Sequence, residues 1–221
     1  MKLHFLLISL TLCSTTALKA QLYQNTLSGN PYKEQNYEGV KGSPYAFEEW
    51  SIGTVQTTKG VFNDINIKYS ELDDQVLFKN KDGQTLQFAD PVKDFTMSYK
   101  DNDKQLLSHY RNGYVNIAGS DNKSYFEVLA DGKCQLLRKT VKKIKQEVVY
   151  GSTESSKSFI TTTRYYIENP EKGVLIKKDK KSVLTVLSDK QQALENYIQS
   201  NNIDFKRDED LVKLINYYNS I

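Results

Sequence analysis

The chain has 221 residues, with 30 Lys+Arg against 27 Asp+Glu, 38% apolar residues and two cysteines. So even a charge balance excludes the basic excess that nucleic-acid binding draws on. The 15 tyrosines and 9 phenylalanines give enough burial potential to exclude a disordered chain.

The first element is an export signal. Lys2 supplies a positive start, Phe5–Leu12 is a short mainly apolar run, and Ala20 closes a stretch of small and polar residues. This order reads as a cleavable signal peptide over residues 1–20, with the exported chain beginning at Gln21. The apolar run is far short of the roughly twenty residues that a membrane-crossing helix needs. No later stretch is apolar enough to span a bilayer, so no transmembrane span is expected in the exported chain. Cys13 offers a second route, lipid attachment, but Leu12 stands where that signal wants a small residue. Removal of residues 1–20 takes away Lys2 and Lys19 and no acid, leaving 28 Lys+Arg against 27 Asp+Glu. Cys134 is then the only cysteine, no internal disulfide forms, and the core alone must hold the fold.

Residues 21–44 carry Gly29, Pro31, Gly39, Gly42 and Pro44 without a sustained period and read as an irregular leader. A β-rich core is expected over 45–178. Thr54–Thr58, Val61–Tyr69 and Gln75–Lys79 are β-branched and aromatic, separated by Lys59-Gly60 and Ser70–Asp74. Asp82-Gly83 fits a two-residue type I′ turn, which puts Leu77 opposite Phe88 and Lys79 opposite Leu86. Asp131-Gly132 gives a second hairpin, with Phe126 opposite Leu137 and Leu129 opposite Cys134. The two hairpins align loosely as a duplicated unit. Further strands are read at Phe95–Tyr99, Leu106–Tyr110, Lys139–Tyr150, Phe159–Ile167 and Gly173–Lys177, with turns at Asp101-Asn102-Asp103 and Asn169–Gly173.

The period changes over 179–221, a C-terminal helical segment expected to pack on the core. Val183, Leu184, Val186 and Leu187 form a short helical stretch. Ser188 with Gln191 suggests a capping box opening a helix with Ala193, Leu194, Tyr197 and Ile198 on one face. Asn201-Asn202 ends it. Asp208-Glu209-Asp210 then starts a helix carrying Leu211, Leu214, Ile215 and Tyr218. Strands followed by helices make the fold class α+β, a mainly antiparallel sheet of hairpins or a meander, with a sandwich as one arrangement such strands allow.

Chemistry is sparse. There is no Gly-x-Ser-x-Gly elbow, His-Glu-x-x-His, Cys-x-x-Cys, phosphate-binding glycine loop or dinucleotide fingerprint. No catalytic, cofactor-binding or metal-binding residue is assigned, and no cofactor is expected. His109 lies on a strand where Ser108 points to the opposite face, so the two do not form a nucleophile–base pair. Cys134 reads as a small buried apolar residue. Asp73-Asp74 and Asp101-Asn102-Asp103 lack the continuation of a calcium loop and read as solvated turns. Glu48-Glu49 before Trp50 are neighbours that a strand would aim apart, which does not suit an acid pair for glycoside hydrolysis. Lys139–Lys145 and Lys177–Lys181 read as solvated positions able to meet an anionic envelope surface. Tyr37, Tyr45, Tyr69, Tyr99, Tyr110, Tyr114, Tyr125, Tyr150, Tyr165 and Tyr166 either line a glycan- or peptide-binding face or are half-buried strand residues.

Several phrases carry a resemblance: Gly42-Ser43-Pro44-Tyr45 with Glu49-Trp50 and Gly53-Thr54-Val55, Phe88–Phe95, Tyr125–Gly132 and Asp210–Ser220. Together they are similar to a family of exported proteins of unknown function from Bacteroidetes-type bacteria, across nearly all of the exported chain. The resemblance implies a cell-envelope or secreted location in a Gram-negative bacterium and brings no activity and no functional residues. The expectation is therefore an exported, periplasmic or secreted, non-catalytic protein that binds an envelope protein or glycan. The alternative is a glycan- or peptide-directed hydrolase whose carboxylates converge only in the fold. Nothing in the sequence sets the oligomeric state.

Overall fold

The structure, a computed structural model, describes residues 27–101, 104–148 and 155–221. Residues 1–20, read above as a signal peptide, Asn102-Asp103 and Tyr150 lie outside the described residues. Among those described, twelve strands form one sheet. They are β1 (Gly29–Pro31), β2 (Val40–Lys41), β3 (Ser51–Thr57), β4 (Gly60–Ser70), β5 (Gln75–Lys79), β6 (Thr85–Phe88), β7 (Val92–Asp101), β8 (Lys104–Arg111), β9 (Phe126–Ala130), β10 (Gln135–Val148), β11 (Ser155–Glu168) and β12 (Gly173–Ile176). The order is β1-β6-β5-β4-β3-β7-β8-β9-β10-β11-β12, antiparallel throughout, and β2 joins β11 in parallel. This is the expected α+β class, with a single continuous sheet rather than a sandwich. Strand Gln75–Lys79 falls where the pattern put it; Val61–Tyr69, Phe95–Tyr99, Leu106–Tyr110 and Phe159–Ile167 extend by one to four residues at each end, Thr54–Thr58 becomes Ser51–Thr57, and Gly173–Lys177 ends at Ile176. The return strand of the second hairpin and the strand read from Lys139 are one, Gln135–Val148. The leader is less irregular than expected, because β1 and β2 attach it to the sheet at β6 and β11.

Connection lengths force the sheet to curl. β7 returns to lie beside β3, four strand spacings from β6, a distance of about 19 Å in a flat sheet. Only Ala89-Asp90-Pro91 link β6 to β7, and the Cα steps from Phe88 to Val92 reach about 15 Å at most. A second closure follows further along, where Lys142 in β10 donates its backbone N–H to the Glu71 carbonyl beyond β4 (3.0 Å). The inner face of this curl holds Val55, Ile67, Tyr69, Val76, Phe78, Phe95, Met97, Tyr110 and Tyr125. The alternation of β3 shows why: Ser51, Gly53, Val55 and Thr57 are buried, while Ile52 and Gln56 face out.

Both Asp-Gly hairpins differ in register from the sequence reading. At Asp82-Gly83 the turn is a three-residue loop. Gly83 donates to the Asn80 carbonyl (3.0 Å) and Asn80 to the Gln84 carbonyl (3.0 Å). The Asn80 side chain accepts from Asp82 N (3.0 Å) and Gln84 N (2.9 Å). Only Gly83 of this loop has positive φ, which is a type I turn with a glycine bulge rather than type I′. Leu77 therefore pairs with Gln87, and Phe78 with Leu86. In the second hairpin a bulge between Leu136 and Leu137 sets Leu136 opposite Ala130 and Leu137 opposite Val128. The two turns close differently, so the suggested duplication has no counterpart in the pairing.

The helices are α1 (Lys180–Val186), α2 (Gln191–Ser200) and α3 (Asp208–Ser220). Asp179 caps α1 by accepting from Ser182 N (2.7 Å). The Ser188–Gln191 capping box does not form. Ser188–Lys190 is a 3₁₀ turn leading into α2, with no side-chain cap. Val183, Leu187, Leu194, Leu211, Leu214 and Ile215 meet Leu136, Ile167 and Ile176 of the sheet in a second core.

Candidate functional site

Residues before β3 build a concavity. Ala46 donates to the Tyr69 carbonyl (2.9 Å) and Glu71 to the Pro44 carbonyl (2.9 Å), which pins this segment across the end of β4. Phe47 is thereby laid against Tyr99 of β7, rings stacked at 4.5 Å and 15°. A cleft of about 610 Å³ opens there, lined by Phe47, Glu48, Glu49, Trp50, Tyr99 and Gln105 among others. Glu48 and Glu49 are exposed at its rim, while Phe47, Trp50 and Tyr99 are half-buried. The Lys79 ammonium lies 4.7 Å and that of Lys68 5.5 Å from the Trp50 ring, and burial pulls Lys68 below the ordinary lysine range. Stacked flat rings beside carboxylates, an amide and ammonium groups suit a ligand with apolar faces and a hydroxyl-rich rim.

The other singled-out residues are drawn into structural work. His109 and Ser108 do point to opposite sides of β8. His109 Nε2 meets Asp94 Oδ2 at 2.6 Å, and Ser108, buried, donates to Glu127 (2.9 Å). Arg111 joins Asp94 (3.1 Å) to Asp131 (2.9 Å). Burial tends to raise Asp94, but His109 and Arg111 outweigh it and hold the carboxyl below its ordinary value. Arg111 chiefly does the same for Asp131. Cys134 is buried, and desolvation pushes its thiol up to about 12.

Asp74 is not the solvated turn residue expected. It accepts from the Tyr69 hydroxyl (2.6 Å) and pairs with Lys139 (2.5 Å). The buried acids are likewise neutralised: Glu71 by Lys142 (3.3 Å), Glu127 by Arg138 (2.6 Å) and Asp210 by Lys213 (2.8 Å). No cluster of three or more His, Cys, Asp or Glu able to hold a metal ion occurs among the described residues. In the basic runs, Lys139 and Lys142 turn inward, Lys143 and Lys145 face out, and Lys178 pairs with Asp208 (2.5 Å).

The tyrosines do not make an exposed binding face. Tyr45, Tyr69, Tyr110, Tyr114, Tyr125 and Tyr166 are buried, and Tyr69 sits 5.0–5.9 Å from Phe95, Tyr110 and Tyr125. Of the nine that are described, only Tyr99 lines the cleft. Phe47 was not singled out in the sequence and Trp50 only as a flank of the acids. Their one signal is an aromatic on either side of Glu48-Glu49. Comparison of the chain with protein-family models, with curated proteins and with solved structures gives no match.

Proposed function

We propose that this chain is an exported cell-envelope protein that binds glycan through the Phe47–Trp50–Tyr99 cleft and does no chemistry on it. The observation that carries this reading is the cleft itself: a stacked aromatic pair and the chain's single tryptophan beside rim carboxylates. Sugar rings offer C–H faces to such aromatics and hydroxyls to carboxylate and amide acceptors. Hydrolysis ranks second because a glycosidase needs two carboxyls flanking one bond with different environments. Glu48 and Glu49 are chain neighbours, both exposed. The test is retention of residues 21–221 on immobilised envelope polysaccharide, compared with Tyr99→Ala. Tyr99 is half-buried at the cleft wall, so the variant is expected to fold and to lose about tenfold in affinity, the scale of one aromatic contact. Equal retention of the two proteins would refute the assignment.

A further inference from the structure

The pairing of β10 with β11 outruns the rest of the sheet. β9 leaves β10 at Arg138, and β12 joins β11 only from Tyr165. Between these limits the two strands pair with each other over Lys139–Val148 and Ser155–Arg164. β2 touches the ribbon at Lys157-Ser158. Lys142 still bonds the Glu71 carbonyl (3.0 Å), so the arm stands clear of the sheet from Lys143 to Val148, about 17 Å at the strand rise per residue, with Arg164 at its root. Strand alternation sorts its side chains. Lys143, Lys145, Ile160, Thr162 and Arg164 share one face, because Lys143 is opposite Ile160, Lys145 opposite Ser158 and Lys139 opposite Arg164.

This face is basic and apolar at once. It carries the exposed cations Lys143, Lys145 and Arg164 against one acid, Glu147. Lys145 pairs with Glu147, whereas Lys143 and Arg164, both exposed, have no carboxylate partner among the described residues. Ile160, on the same face, is 41% exposed. A free polyanion would satisfy the cations but leave Ile160 in water. A lipid surface accepts both, cations at the headgroups and apolar side chains at the acyl boundary.

We propose that the β10–β11 arm docks on an anionic membrane surface, with Lys143, Lys145 and Arg164 at lipid phosphates and Ile160 beneath them. The proposal stands apart from glycan binding, since it uses none of the cleft residues. The experiment is co-sedimentation with phosphatidylcholine vesicles with and without phosphatidylglycerol. It uses residues 21–221, which contain every described residue of the fold and lack the apolar run Phe5–Leu12, which would itself partition into lipid. Binding is expected only with phosphatidylglycerol and to weaken as salt is raised. Lys143→Gln with Arg164→Gln is expected to weaken it about tenfold or more. Lys81→Gln, an exposed hairpin lysine elsewhere, is expected to leave it unchanged. Ile160→Ser is expected to weaken vesicle binding while leaving any retention on a soluble polyanion, heparin, as it was. Equal binding to both vesicle types, no binding, an equal loss in Lys81→Gln, or no effect of Ile160→Ser would each overturn the proposal.

Discussion

Arg138 bridges the two cores. Its guanidinium holds Glu127 (2.6 Å) on the sheet and Asp208 (2.7 Å) at the start of α3, and Tyr165 donates to the same Asp208 oxygen (3.1 Å). Removing Arg138 would leave Glu127, 9% exposed, as an unpaired buried charge. Arg138→Leu is therefore expected to cost about 3 kcal/mol in urea unfolding. Arg207→Ala, which removes an exposed pair with Glu209 at 3.7 Å, should cost less than about 0.5 kcal/mol. Asp94 and Asp131 predict a pH dependence. Both are held below the ordinary aspartate value of 3.8. A carboxyl so depressed favours the folded state above 3.8 and loses that contribution as the pH falls through its folded-state value. The Tm is expected to drop as pH is lowered through and below 3.8, more steeply in the native chain than in Asp94→Asn. Parallel curves would show that the His109–Asp94–Arg111 array contributes nothing. The pairings of Arg138, Asp94 and Asp131 were not legible in the sequence, because each joins residues far apart in the chain.

At the scale of elements, what could be read was pattern, and what could not was register. The positions of β3, β4, β5, β7 and β8 follow from β-branched and aromatic runs, and α3 from its acidic first turn and apolar spacing. The hairpin registers escaped because side-chain hydrogen bonds decide them. Asn80 binds the backbone of its own turn and excludes type I′, and Asn219 of α3 caps Cys134 N (2.9 Å) and O (2.8 Å) beside the second hairpin. Gly53 is another feature that alternation alone does not mark. A Cβ there would lie 2.0 Å from the Thr96 carbonyl oxygen and 2.8 Å from Ile67 Cδ1. Since the carbonyl belongs to the β7 ladder and cannot swing aside, Gly53→Ala is expected to cost about 2 kcal/mol, read as a lower urea midpoint. An unchanged midpoint would mean that β3 and β7 approach less closely than described.

The whole molecule is a curled sheet whose inner face is filled by aromatics and whose far end is covered by three helices. This explains the high tyrosine content without a tyrosine-lined binding face: a curl needs large side chains to fill it, and the hydroxyls of Tyr69 and Tyr125 find Asp74 and the Val92 carbonyl (2.8 Å). Fold class was legible because it depends on period and order. The candidate site was not, because the cleft is made by a connecting segment folded across β4, and only that crossing brings Phe47 to Tyr99. The central claim is that the cleft holds glycan without cleaving it. It is tested most directly by incubating residues 21–221 with fluorescently end-labelled envelope glycan and following bound label and released fragments together. The account predicts saturable binding, lost in Trp50→Ala, with no fragments over time. Fragments that disappear in Glu48→Gln or Glu49→Gln would contradict it and establish a hydrolase.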